Sequence, residues 1–189
     1  MSGADSQAFA QGRKAALNQI KKLVASRAQG RMQKAQQGLA DFATYDSELH
    51  GPELKDEQKA AVAAMHSAVE IAIEAWADAA GSAVEGLLAG HSVYDLLGQR
   101  PIPTYMAIVG GDNRAGVMSA IDDVKIMLMS FNVAALNERV FNEICATGDV
   151  EERHKSMLRK VLSYSVAVEH DGVVFSLNDD ILSKMPPSD

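Results

Sequence analysis

Alanine is concentrated in the first half of the chain, where 22 of its 29 copies lie within the first 89 residues. Because alanine is the strongest helix former, this half is strongly biased towards helix. Apolar residues recur there at steps of three or four, which is the α-helical period. A His50-Gly51-Pro52 cluster interrupts the pattern, since glycine suits a helix end and proline the next helix start. The sequence predicts a long antiparallel helical hairpin with helices over 6–45 and 52–88.

The helical period returns over 117–145, but its apolar face changes sides. The first stripe consists of Val117, Ile121, Val124, Leu128 and Phe131, and the second of Val133, Leu136, Val140 and Ile144. At about 100° per residue, these stripes lie on roughly opposite sides. Either one helix is buried on two sides, or the chain breaks near residues 130–132. We favour a buried central helix over 117–145, with Leu128 and Leu136 both inaccessible.

The C-terminal region carries the pattern of a β-hairpin. Large apolar residues alternate with small ones along 162–168, and Asp171-Gly172 precedes a second apolar run. Asp-Gly between alternating segments is a strong hairpin signal, because both turn residues accept positive φ. We therefore predict a β-hairpin over 161–178 that pairs Val168 with Phe175, preceded by a short charged helix over 149–160.

These elements fit a single domain, 1–189, of mainly α class with a minority of β structure. The chain has 189 residues, which is enough for one domain with its own core. Its 47% hydrophobic and 23% charged residues are globular values and exclude a disordered chain. A Pro/Gly-rich connection over 90–116 precedes the central helix, and within it residues 104–109 form either a strand or a packed loop.

The sequence also indicates a compartment. Its one cysteine cannot form an internal disulfide, and the first thirty residues contain no apolar segment typical of a secretion signal. No apolar run reaches the roughly 18 residues that a membrane span needs. We therefore expect a cytoplasmic protein with no membrane partner.

Charge is distributed very unevenly along the chain. Residues 6–40 contain seven basic and no acidic side chains, whereas residues 41–189 hold 11 basic and 24 acidic ones. The candidate partner-binding residues are Arg13, Lys14, Arg27, Arg31 and Lys34. Three explanations remain open: internal neutralisation, an acidic protein partner, or nucleic acid bound through 13–34. Internal neutralisation in the hairpin would pair Arg31 with Glu70, Arg27 with Glu74 and Lys22 with Asp78.

The glycine-rich loop over 110–116 resembles a phosphate-binding loop in its spacing. Gly111, Arg114 and Gly116 are the candidate anion-binding residues, because backbone N–H groups at a helix start can hold phosphate. However, Val117 and Met118 stand where a P-loop needs Lys and Ser or Thr. A tight turn in which Asp112 or Asn113 caps the helix is the alternative.

Patterns for metal or nucleophile chemistry are weak. His66 and Glu70 are four residues apart, but no HExxH or CxxC motif occurs. Cys145 with His154 is a possible nucleophile pair, although a helical cysteine is usually a small hydrophobic residue. The sequence predicts no catalytic residue, no metal and no cofactor.

The function favoured by these patterns is non-catalytic: a helical binding, regulatory or assembly protein that acts through protein–protein contacts, with a homo-oligomer expected. Alanine-rich helices bury little area each and gain from further packing. The first alternative is a nucleic-acid-binding protein that uses 13–34. The second is a small ligand- or anion-binding domain, or an enzyme, centred on the 110–116 loop.

Overall fold

The fold is known from a computed structural model that describes residues 3–50, 56–98, 111–147 and 150–185. The described residues are 90% helical and contain no strand, which confirms the predominance of helix. In chain order the helices are α1 (Gly3–His50), α2 (Asp56–Leu88), α3 (Val93–Leu97), α4 (Asn113–Met129), α5 (Val133–Thr147) and α6 (Glu152–Leu182). The predicted segment 104–109 lies outside the described residues.

The chain forms two compact units. Unit 1 comprises Met1–Ala25, Ala79–Phe131 and Asp171–Asp189, and unit 2 comprises Ser26–Asp78 and Asn132–His170. Helices α1, α2 and α6 therefore each contribute one part to unit 1 and another to unit 2. Helices α3 and α4 belong to unit 1, and α5 belongs to unit 2.

Unit 1 is built around the apolar stripes of four helices. Its buried side chains include Leu17, Ile20 and Val24 of α1, Ala80, Val84 and Leu87 of α2, Val117, Ile121, Val124 and Leu128 of α4, and Val173, Leu177 and Ile181 of α6. Their spacing of three or four residues places each set on one side of its helix. The short α3 begins with a capping box, in which Ser92 and Asp95 exchange hydrogen bonds. The hydrogen bonds that Ser92 donates hold the pKa of Asp95 below its usual value.

Unit 2 has a core that includes a buried polar contact. Trp76 of α2 is fully buried, and its Nε1 donates a hydrogen bond to Nδ1 of His170 at 3.3 Å. At the edge of this unit, Arg159 of α6 lies 4.1 Å from the ring centre of Phe141 and donates to Glu138 at 2.9 Å. Both partners belong to α5, so the guanidinium joins α5 to α6.

The predicted C-terminal β-hairpin is wrong. Residues 161–178 lie within α6, which also absorbs most of the predicted short helix over 149–160. In the helix, Leu162 and Val166 are buried, whereas Tyr164 and Val168 are exposed. Apolar residues therefore occupy two opposite faces of α6, and their interleaving in the sequence produces an alternation like that of a strand.

The predicted uninterrupted helix over 117–145 is also wrong. The chain breaks at the residues that the sequence offers as the alternative, between α4 and α5. Ser130 ends α4 and its Oγ donates to the Ile126 carbonyl, while Asn132 accepts a hydrogen bond from the Ala135 amide and so caps α5. Leu128 is buried as expected, but Leu136 is only half-buried. The change of apolar face thus marks two helices that belong to different units.

Helix α2 contains a stretch that meets a simple criterion for membrane spans. Among the described residues, Gln58–Leu88 is the one helical segment long and apolar enough to cross a membrane, with a mean hydropathy of 1.2. The sequence expectation concerned an uninterrupted apolar run, whereas this criterion uses mean hydropathy and admits up to two charged residues in the window. A core helix of a soluble protein passes the same test, and 28% of the apolar window is buried inside the protein.

Helices α1 and α4 approach each other closely at two glycines in unit 1. A Cβ atom on Gly116 would collide with the backbone of Phe9 and Arg13, and one on Gly12 with the backbone of Asn113. The two backbones can lie this close because neither glycine carries a side chain.

We predict that Gly116→Ala lowers the free energy of unfolding by roughly 1–3 kcal/mol, because α1 and α4 must move apart to admit a methyl group. Gly81→Ala is the matched control, since a Cβ atom there meets nothing within 4 Å. The control should raise stability by about 0.5–1 kcal/mol, the helix preference of alanine over glycine. Chemical denaturation measures both, and equal effects of the two substitutions would contradict the close crossing.

Candidate functional site

Arg13 is engaged within unit 1. Its Nη1 lies 2.6 Å from the Asp123 carboxylate and donates to the Ser119 hydroxyl at 3.0 Å, and both partners belong to α4. The Arg13 and Asp123 side chains are largely buried, so the pair stands partly screened from water. The neighbouring Lys14 is exposed. The arginine thus holds α1 against α4, next to the glycine crossing.

The other basic candidates lie in unit 2. Arg31 is half-buried, and its Nη2 donates to the Ser165 hydroxyl of α6 at 3.2 Å. Arg27 is half-buried and engaged in an interaction with another group, whereas Lys34 is exposed. The five candidate partner-binding residues therefore divide between the two units, and a role for them in binding stays a prediction.

The α1–α2 contacts have a different register from the predicted one. In unit 1, Lys21 pairs with Glu85 at 2.6 Å, and in unit 2, Gln36 donates to Glu70 at 3.0 Å. In each observed pair, the midpoint in sequence between the two residues is position 53. In the predicted ion pairs, this midpoint lies near position 50. Because of this displacement, Glu70 faces Gln36, and the predicted Arg31–Glu70 pair does not form.

The described part of the 110–116 loop is organised as a helix cap. Gly111 has φ of 130°, and the carboxylate of Asp112 accepts a hydrogen bond from the Ala115 amide at 2.8 Å. Asp112 is one of the two capping residues that the sequence predicts. Its negative charge at the start of α4 disfavours an anion there. Arg114 is exposed, whereas Gly116 is buried inside the helix, where it serves the α1–α4 crossing.

The candidate metal and nucleophile residues lie on α2, α5 and α6. His66 Nδ1 lies 3.8 Å from a carboxylate oxygen of Glu70, which is too long for a hydrogen bond. No group of three potential metal ligands occurs among the described residues. Cys145 is half-buried on α5, and His154 is half-buried on α6.

Sequence reasoning missed an exposed apolar stripe on α6 in unit 2. Met157, Tyr164 and Val168 are 57%, 69% and 42% exposed, and Val161 between them is half-buried. The four residues are spaced by four, three and four positions and fall within an arc of about 60°. We call them the outer seam. A helical reading of 157–168 would have revealed it, but the strand interpretation hid it.

A groove lies between α1, α2 and α6 within unit 2. Its volume is about 540 Å³, and its apolar lining consists of Ala35, Val62, Met65, Val69, Val161 and Tyr164. Arg31, His66, Lys160 and Ser165 also line it. The Nε atom of Arg31 and the Nε2 atom of His66 are buried and have no hydrogen-bond partner in the described part of the chain. The groove thus combines apolar walls with buried polar atoms that lack partners.

A smaller cavity of about 200 Å³ lies next to the groove in unit 2 and shares Met65 with it. Its lining is formed by Ala60, Ala61, Ala64 and Met65 of α2, together with Val150, Glu151, His154 and Leu158. Alanines make most of the α2 wall, and Glu151 and His154 supply the polar side chains on the other side.

No family model, curated protein or solved structure matches this chain.

We predict that Arg13 and Asp123 are energetically coupled more strongly than Lys21 and Glu85. In a double-mutant cycle with Arg13→Gln and Asp123→Asn, we expect a coupling of about 1–3 kcal/mol, because both groups are shielded from water. The Lys21–Glu85 pair is about half exposed and should give roughly 0–1 kcal/mol. Urea denaturation of the single and double variants measures both couplings. If the exposed pair is coupled at least as strongly, the structural role assigned to Arg13 is wrong.

Proposed function

We propose that the protein is a non-catalytic assembly protein that pairs with a second copy of itself through the outer seam of α6. The observation that carries the proposal is the exposure of Met157, Tyr164 and Val168 along one line of the helix. Single exposed apolar residues are common on protein surfaces, but an aligned set that includes tyrosine and methionine is typical of interfaces.

The spacing of the outer seam suits an antiparallel pair of helices. Its steps of four, three and four residues match the spacing of successive d and a positions in a coiled coil, with Met157 and Tyr164 at d and Val161 and Val168 at a. If two copies pack about a two-fold axis midway between Leu162 and Ser163, Met157 of one copy faces Val168 of the other. Val161 then faces Tyr164. Every seam residue thus meets an apolar one, as a self-complementary two-fold interface requires.

The opposite face of α6 leaves the outer seam available for such pairing. Leu158, Leu162 and Val166 are already buried in the core of unit 2, so the helix is held in place without the second copy. Association therefore does not have to order the helix, and the burial of four apolar side chains contributes directly to affinity. Because the seam spans less than two heptads, we expect a weak dimer with a dissociation constant of roughly micromolar order.

We predict that Tyr164→Glu abolishes self-association, since two carboxylates would enter an apolar seam without partners. Sedimentation velocity at protein concentrations from about 1 to 100 μM, a range that brackets the expected affinity, measures the effect. Ser163→Glu is the matched control, because Ser163 is also exposed on α6 but lies about 100° away from Tyr164. Wild-type protein and the control should dimerise in the same concentration range. A wild-type protein that stays monomeric, or equal loss in both variants, would refute the pairing.

The alternative function, nucleic-acid binding through 13–34, makes a different prediction. Arg13 and Arg31 hold α4 and α6 by hydrogen bonds, and residues 41–189 carry 13 more acidic than basic side chains. Repulsion from the acidic part opposes approach to phosphate. We predict no binding of duplex or single-stranded nucleic acid tighter than about 1 μM at physiological salt.

Fluorescence anisotropy with labelled DNA and RNA at two salt concentrations measures this binding. Submicromolar binding with a steep salt dependence, lost in Arg27→Glu/Arg31→Glu, would favour the nucleic-acid function over assembly.

A further inference from the structure

The groove of unit 2 contains two nitrogen atoms whose hydrogen-bonding capacity is unused. Arg31 Nε and His66 Nε2 are inaccessible to water and have no partner among the described residues. A buried polar group without a partner is costly, and most such groups in folded proteins are paired. Two of them in residues that line one apolar groove point to a ligand that supplies an acceptor.

The charge of Arg31 points to an anionic acceptor. Its one hydrogen bond in the described structure is to the neutral hydroxyl of Ser165, and no carboxylate pairs with it there. Ser165 is itself buried, so it fixes the guanidinium against the groove wall from α6. Lys160, which lines the same groove, adds a second positive charge. A guanidinium held in this way presents its remaining N–H groups in the geometry that suits a carboxylate.

His66 can supply a further donor from α2. Its side chain is 15% exposed, and its Nδ1 edge faces Glu70, which in turn accepts a hydrogen bond from Gln36. Nε2, on the other edge of the ring, is the buried atom without a partner in the described part of the chain. In the Nε2–H tautomer or as an imidazolium, His66 can donate to an anion in the groove once a small rotation of the ring exposes Nε2.

The remaining lining selects the rest of the ligand. Ala35, Val62, Met65, Val69 and Val161 offer no polar side-chain atom that forms a strong hydrogen bond. The groove volume of about 540 Å³ lies within the usual range for small-molecule sites, in which apolar walls surround a few polar groups.

We propose that this groove binds an aliphatic monocarboxylate, with its carboxylate at Arg31 and His66 and its hydrocarbon chain along α2 and α6. The carboxylate neutralises the guanidinium. Small rotations of the Arg31 and His66 side chains, whose Nε and Nε2 atoms are buried in the free protein, bring both nitrogens within its reach. The chain covers the apolar walls, so each added methylene should tighten binding by roughly three- to fourfold until the groove is filled. The carboxylate end of the site does not depend on self-association, because Arg31 and His66 lie on α1 and α2. The hydrocarbon end shares Val161 and Tyr164 with the outer seam, so decanoate and a second copy should compete for these two residues.

Isothermal titration of the full-length protein with decanoate tests the proposal. Decylammonium has the same hydrocarbon chain and the opposite charge, and should bind at least about tenfold more weakly because it meets Arg31 and Lys160. Octanoate should bind about tenfold more weakly than decanoate, since two methylenes are lost. A specific site of this size should bind decanoate with a dissociation constant below about 1 mM. No decanoate binding up to that concentration, or equal affinity for decanoate and decylammonium, would overturn the proposal.

Substitutions locate the binding in the groove. Arg31→Gln should weaken decanoate binding about tenfold or more, and His66→Gln by roughly fivefold, because each removes a donor to the carboxylate. Lys34→Gln is the matched control, since it removes an exposed positive charge of α1 that does not line the groove. Its affinity should stay within about twofold of the wild type, as expected for a screened surface charge.

Circular dichroism shows whether each variant is folded, and His66→Gln provides a second test if Arg31→Gln is not. Binding that is unchanged in the folded groove variants, or weakened equally in Lys34→Gln, would show non-specific adsorption and overturn the proposal.

Discussion

The structure depends on the burial of apolar side chains of α6 in each of the two units. In unit 2, Leu158, Leu162 and Val166 are at most 2% exposed, and in unit 1, Val173, Leu177 and Ile181 are completely buried. These residues recur at steps of about four, so only a helix brings each set to one side. The other helices of each unit supply the apolar surface against which these side chains pack. A strand over 161–178 would turn alternate residues outwards and leave several of these side chains without a core.

The same constraint explains why the C-terminal prediction failed. Leu162 and Val166 belong to the buried face, and Tyr164 and Val168 belong to the outer seam. When both faces of a helix carry apolar residues, the sequence alternates over a short window as a strand does. Valine and tyrosine also favour strands, which strengthened the misleading pattern. The residues that defeated the sequence prediction are therefore those proposed to bind a second copy, as expected where function departs from folding requirements.

Other parts were predictable because the signal was local. The two long helices α1 and α2 follow from alanine content and apolar period, and the Asp112 cap follows from the residue type before α4. Contacts between helices were not predictable in the same way. The α1–α2 register rests on contacts such as that of Lys21 with Glu85, and the pairing of Arg13 with Asp123 likewise joins positions far apart in the chain. Gly116 looked like a loop residue, but its role is to let two backbones approach.

The groove was also beyond sequence reasoning, because it gathers single residues from three helices. Nothing in the local pattern distinguishes Arg31 from the other basic residues of α1. Its distinction comes from the neighbouring α6, where Ser165 holds it beside apolar walls, and from the absence of an acidic partner in the described chain. A half-buried charge of this kind is the feature that separates a candidate binding residue from a solvated surface charge.

Backbone chemical shifts of the isotopically labelled protein test the central claim, which is that α6 is uninterrupted and has an inner and an outer apolar face. Cα and Cβ shifts are expected to be helical from Glu152 to Leu182, including at Asp171 and Gly172. Amide exchange at Leu162, Val166 and Val173 should be slow, because these residues lie in the buried parts of the two units. Strand-like shifts on both sides of Asp171-Gly172, together with a cross-strand contact between Val168 and Phe175, would contradict the account.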